Sequence, residues 1–233
     1  MGVLDRLSTR AMNGSELSLA FGRDLASGVV RTSFGVALGD RPRILSKEFY
    51  ARETVRVAKN LLGKQLVRVK GRVRMIGRIV EVEAYRGSDD PASHAFHGLT
   101  LRNAPMFGEP GRAYIYFTYG NHYCLNITTQ ERGTPGAVLV RAIEPLEGIS
   151  VMRRLRPNVP ELALTNGPGK LTKALGIDKS LNEVDMTKPG PLFVMNAEEA
   201  HFKIGQSTRI GIRVGKDRLW RFYVSGSRHV SRG

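Results

Sequence analysis

The run Arg78-Ile-Val-Glu-Val-Glu-Ala-Tyr85 has strand-like alternation, which sets Glu81, Glu83 and Tyr85 on one face and Val80, Val82 and Ala84 on the other. Carboxylates beside an aromatic ring can activate water or offset positive charge on a reacting carbon. Taken alone, the segment reads more simply as a solvated strand face with its valines turned to the core. The stretch from Arg112 to Asn126 adds to it. Two aromatic-rich strands there flank Gly120-Asn121, a pair suited to a tight turn, so a hairpin tip carries Tyr119, His122 and Tyr123. Exposed aromatics on a ribbon suit stacking on bases or wedging into a groove, whereas packed ones belong to a core. Tyr114 and Tyr116 alternate with Ile115, Phe117 and Tyr119. Both faces of that strand are therefore apolar or aromatic, and one must be covered by protein or used for binding.

Two further clusters are less specific. His94 and His97 stand at i, i+3 and read either as structural histidines or as half of a metal site. No third ligand stands ready, so no metal is expected. Asn166-Gly-Pro-Gly-Lys170 opens a short helical stretch, where backbone amides such as that of Gly169, together with Lys170, can hold a phosphate. Ordinary turn punctuation explains the same residues.

The elements that must position these groups follow from periodicity. A helical stripe of Ala51, Val55, Ala58 and Leu62 predicts one helix, capped by Ser46 and ended by Gly63. Strands are predicted at 65–70 and 72–85, joined through Gly71, then at 113–119, 123–129, 137–144, 192–194, 209–214 and 221–224. Short helices are predicted at 148–155 and 170–175. The expected fold is α+β: one domain over 46–233 with a curved, mainly antiparallel, open-barrel-like sheet, helices around it and a protruding hairpin. Residues 1–45 show no sustained period and read as an extension of open role.

The charge narrows the partner. Among 233 residues, 36 Lys and Arg stand against 21 Asp and Glu, a net charge of +15. Such a surface attracts a polyanion and gains affinity by counterion release, although solubility or a membrane face can also account for basic charge. The single cysteine, Cys124, excludes an internal disulfide and cysteine-rich zinc sites. No apolar run approaches the ~18 residues of a membrane span, and no apolar signal core opens the chain. The expectation is an intracellular protein without a membrane partner, in the cytoplasm or nucleoid, or in the nucleus of a eukaryote.

Taken together, these stretches resemble the alkyladenine (methylpurine) DNA glycosylase family over roughly 45–231. The resemblance runs through Leu61-Leu-Gly-Lys64, Glu81 to Tyr85, Met106-Phe107, Tyr114 to Asn126, Arg141 to Gly148, Asn166 to Leu171 and Arg221 to Val224. It implies a monofunctional repair enzyme that flips alkylated or deaminated purines from duplex DNA and hydrolyses their N-glycosidic bond to leave an abasic site, with no cofactor. It makes Glu83 the general base, with Glu81 only its neighbour and Arg141 a holder of the attacking water. It makes Tyr85, His94 and Tyr116 the sandwich around the flipped base, Asn126 the residue that crowds the 2-amino group of guanine, and Tyr119 the wedge in the minor groove. His122, Gly169 and Lys170 are then candidates for the DNA backbone. Two departures stand out: the segment 156–165 is short, and Asn121-His122 is polar at the hairpin tip.

Two rivals are carried forward. A nucleic-acid binder without catalysis shares the charge and aromatics but has no use for a carboxylate facing phosphate. A carbohydrate glycosidase pairing Glu81 with Glu83, ~7 Å apart at Cα, fits the carboxylates but gains nothing from the charge. The expected state is a monomer.

Overall fold

The computed structural model describes residues 43–118, 121–197 and 201–231. Most of the extension over 1–45, and Tyr119 with Gly120, lie outside the described residues.

The predicted single helix is two. α1 spans Lys47–Tyr50 and α2 spans Thr54–Leu61. The break has two causes. The carbonyl of Tyr50 accepts a hydrogen bond from Gln130 N (3.0 Å), and the Glu53 carboxylate accepts from Arg56 N (2.8 Å) and starts a fresh helix.

Eight strands follow: β1 Gln65–Lys70, β2 Val73–Tyr85, β3 Ala113–Thr118, β4 His122–Thr128, β5 Ala137–Glu147, β6 Leu192–Met195, β7 Ile204–Ser207 and β8 Arg221–Val224. All pairings are antiparallel, in the order β3-β4-β5-β2-β1-β6, with β8 joining β2 and β7 joining β8. The fold is thus α+β with a curled, antiparallel, half-barrel sheet, as the periodicity implied. The β1–β2 turn places Gly71 at φ +58°, a left-handed conformation that favours glycine. α3 (Ile149–Leu155) and α4 (Pro168–Leu175) follow β5.

β2 is the central strand. β5 lies along one edge, while β1 and β8 share the other. Its register against β5 shifts three times, leaving Leu146 unpaired on β5, then Val80 on β2, and then Arg141 on β5. Such bulges re-aim side chains. One face of the sheet carries the main core, in which Ile79, Val82, Leu125, Val140 and Ile143 pack with Leu61 of α2 and Leu171 of α4. The other face bears a smaller cluster of Ala95, Met106, Tyr114 and Ala137.

The reading of β2 as a solvated face is overturned, because Glu81 and Glu83 are both 0% exposed. The predicted strand at 209–214 is also absent. Ile210 N is spent on a side chain, the Glu83 carboxylate, and Gly211 and Gly215 adopt left-handed conformations, so this segment cannot run on as a ladder. The strand lies just before it, as β7.

Gly77 sits where β5 presses closest, since a Cβ there would fall 2.4 Å from Ile143 Cδ1. Gly77→Ala is expected to cost about 1–3 kcal/mol through overpacking. Urea denaturation checks it: the midpoint falls at unchanged slope, whereas an unchanged midpoint would show that Ile143 has room to move.

Candidate active site

Two buried carboxylates would be unstable without donors, and the fold surrounds each with them, Arg141 being common to both. Glu81 Oε1 accepts from Arg141 Nε (3.0 Å), Arg221 Nε (2.7 Å) and Ser231 Oγ (2.7 Å), and Oε2 accepts from Ser231 N (2.6 Å). Its hydrogen-bonding capacity is largely consumed within the protein.

Glu83 is held differently. Oε1 accepts from Ile210 N (2.7 Å) and lies 3.2 Å from Arg141 Nη1, while Oε2 accepts from Tyr85 OH (2.7 Å). The bulge at Arg141 sets its guanidinium between the two acids, where it is 6% exposed. Burial opposes the charge of Arg141, but the Glu83 and Glu81 carboxylates outweigh it and hold the pKa above the ordinary arginine value. Burial, and then the neighbouring Glu83 charge, push the Tyr85 phenol well above its usual range. Tyr85 therefore keeps the proton that it donates to Glu83.

This cluster abuts a cavity of about 510 Å³, the size of a small-molecule site. Tyr85, His94, Tyr116, Asn126, Arg141 and His122 all line it, so six of the residues singled out in the sequence converge there. His94 and Tyr116 meet edge to face at 4.6 Å, and His94 Nδ1 lies 2.8 Å from Tyr114 OH. Packing in this aromatic wall, and then the charge of Arg102, hold the His94 pKa below the ordinary histidine value. Asn126 donates from Nδ2 to Tyr114 O (3.1 Å). Cys124 also lines the cavity, its thiol pushed up to about 11 by burial. Among the described residues no three His, Cys, Asp or Glu side chains gather as a metal site.

The two apolar or aromatic faces of β3 are thus accounted for: Ile115 belongs to the core, and Tyr114 and Tyr116 line the cavity. The phosphate-binding candidate is anchored as well. Asn166 bridges Ala142 beside Arg141, Thr172 Oγ1 donates to Tyr123 O (2.9 Å), and Pro168 lines the cavity. A Cβ on Gly169 would lie 2.3 Å from the His122 ring, so glycine is what lets α4 approach the hairpin. Lys170 is exposed and donates to Asn166 Oδ1 (2.9 Å).

Sequence reasoning missed the pair behind the Tyr85 ring. Arg209 and Asp90 are fully buried and paired through both carboxylate oxygens, at 2.6 and 2.7 Å. The Arg209 guanidinium lies 4.7 Å from the Tyr85 ring centre and donates to Ala84 O (2.9 Å). One ion pair therefore backs an aromatic wall and, through the next residue, delivers Ile210 N to Glu83. A lone acid-turn motif, Asp89-Asp90-Pro91, was the only local sign.

The sequence profile of the family described as Methylpurine-DNA glycosylase (MPG) matches residues 48–228. This chain belongs to the methylpurine-DNA glycosylase family. Relatives provisionally named 3-methyladenine DNA glycosylase support the membership. The one from Carboxydothermus hydrogenoformans is 47% identical over 190 residues, covering 81% of this chain and 99% of its own. The one from Methanoculleus marisnigri is 49% identical over 193 residues, covering 81% and 98%. The one from Chlorobaculum parvum is 48% identical over 189 residues, covering 80% and 90%. As a methylpurine-DNA glycosylase, the chain is a hydrolase of N-glycosyl bonds that acts on DNA, and both rivals fall. The saturation of Glu81 agrees, since a carbohydrate-type acid and nucleophile pair would need that carboxylate free.

Asp90→Asn leaves the Arg209 charge buried without its counter-ion, at an expected cost of about 3–5 kcal/mol. Chemical denaturation reads this loss, and replacing both residues by apolar side chains of similar volume is expected to recover most of it. Wild-type stability for Asp90→Asn would contradict the burial of the pair.

Proposed function

We propose that the enzyme flips alkylated or deaminated purines, among them 3-methyladenine, 7-methylguanine, hypoxanthine and ethenoadenine, out of duplex DNA into this cavity. Glu83 then activates a water that displaces the base and leaves an abasic site. The observation that carries the reading is a carboxylate, 0% exposed, beside an aromatic cavity and oriented by three separate donors.

The chemistry follows from charge. The N-glycosidic bond breaks through a sugar with oxocarbenium character, which a fixed carboxylate stabilises while it accepts the proton of water. Arg141 bridges Glu81 to Glu83 and so fixes the base against rotation, and its guanidinium, which lines the cavity, helps to hold the water. An alkylated purine leaves with its positive charge neutralised, whereas hypoxanthine needs a proton as it departs. Tyr85 stacks on one side of the base and His94 with Tyr116 on the other, which tolerates varied lesions, and Asn126 excludes the 2-amino group of guanine. The groups that orient Glu83 are Tyr85 OH, Ile210 N and Arg141, and the expected outcome is simple hydrolysis without strand cleavage.

The wedge role of Tyr119 rests on the family resemblance, since that residue lies outside those described. His122, Gly169 and Lys170 belong to the DNA-backbone side of the cavity, the first packed on the second. The glycosylase domain is taken as 46–233, acting as a monomer.

Glu83→Gln is expected to lower single-turnover base release from a lesion duplex by about 10²–10⁴-fold, the usual range for a general base. Lesion binding is retained, because an amide oxygen can still accept from Ile210 N. Loss of binding in step with turnover would make Glu83 a structural residue.

A further inference from the structure

The loop after His94 is built with more order than a surface connection needs. Asn103, 1% exposed, accepts from Thr100 N through Oδ1 (2.7 Å) and donates from Nδ2 to His94 O (2.7 Å) and Gly98 O (2.9 Å). The Arg102 guanidinium stands 5.3 Å from the Tyr116 ring centre, at the aromatic wall of the cavity. Between these anchors Leu101 is 100% exposed and Leu99 65% exposed.

A lone exposed leucine needs no explanation, because much of any protein surface is apolar. The place of this one changes its meaning. A flipped nucleotide stays joined to both neighbours, so the mouth of its pocket must lie against the duplex, and residues at the rim are pressed on to DNA. His94 lines the cavity, and its carbonyl anchors the loop through Asn103. A leucine held out there loses its water when DNA docks, and a locked loop spends little entropy in doing so.

We propose that Leu101, supported by Leu99, is a second apolar probe that enters duplex DNA beside the flipped nucleotide, a proposal that rests on the flipping mode given above. Leucine is among the side chains that open base steps by insertion. The net charge of +15 draws the polyanion, and Arg102, next in the chain to the probe, sets a cation against the Tyr116 ring. The probe lies on a different loop from the β3–β4 connection, so the duplex is engaged at two points.

The test measures, for the full chain, fluorescence anisotropy on a duplex carrying a tetrahydrofuran abasic site and on the matching single strand. Leu101→Ala is expected to raise the duplex Kd about tenfold, or ~1.4 kcal/mol, and the single-strand Kd less than twofold, since a single strand has no duplex step to open. Leu101→Asp is expected to raise the duplex Kd further, with thermal unfolding unchanged. Wild-type duplex affinity in both variants overturns the proposal, and so does an equal loss on both DNA forms. Light scattering that shows a dimer split by Leu101→Asp, with duplex affinity intact, assigns the loop to a second copy of the chain and also overturns it. A wild type that binds the duplex but releases no base sinks the hydrolytic reading alone, because the Leu101 readout is binding.

Discussion

Burying Glu81 and Glu83 side by side on one strand is the constraint from which the rest of this structure follows. Like charges at that spacing in a poorly solvated interior repel, and each also loses its hydration. The fold answers with Arg141 between them, Arg221 and Ser231 on Glu81, and Tyr85 with Ile210 N on Glu83. Such networks seldom add net stability compared with apolar residues of the same volume. Their use here is positional: Glu81 absorbs donors so that Arg141 is fixed, and Arg141 fixes Glu83. The two neighbouring glutamates therefore have unequal parts, and the inequality is set by their partners.

The same constraint explains why the sheet is irregular where it matters. Register shifts fall at Val80 and Arg141, beside the acids, and one guanidinium meets both. The segment after Arg209 gives up strand pairing for a related reason, because its amide at Ile210 serves a carboxylate instead of a neighbouring chain. The ion pair of Arg209 with Asp90 then carries both the Tyr85 wall and that amide on a single buried contact, which couples the aromatic wall of the cavity to the geometry of the Glu83 carboxylate.

Much of the sheet was legible because its strands alternate or form short apolar runs bounded by glycine, and β1, β2 and β8 fall almost where periodicity puts them. The first helix was not, because its break depends on Gln130 capturing the Tyr50 carbonyl from 80 positions away. Solvation of the Glu81 face was misjudged because alternation gives facing but not what covers a face. The better signal was Arg141 in the apolar run Ala137-Val-Leu-Val-Arg-Ala-Ile143, which demands a buried acid partner. The pocket residues were recognised through a family pattern rather than through physics. Asp90, Arg209 and Ser231 escaped because their contacts span 119 and 150 positions and leave no local periodic trace.

The central claim is that the Glu83 charge faces the sugar from which the base departs. Its most direct test is to compare the affinities of wild type and Glu83→Gln for two abasic duplexes, one with a protonated ring nitrogen in the sugar and one with a neutral ring. The account predicts that wild type prefers the cationic ring and that the substitution abolishes this preference while neutral-ring affinity persists. An equal cationic preference in both proteins would place the charge-stabilising group elsewhere and contradict the account.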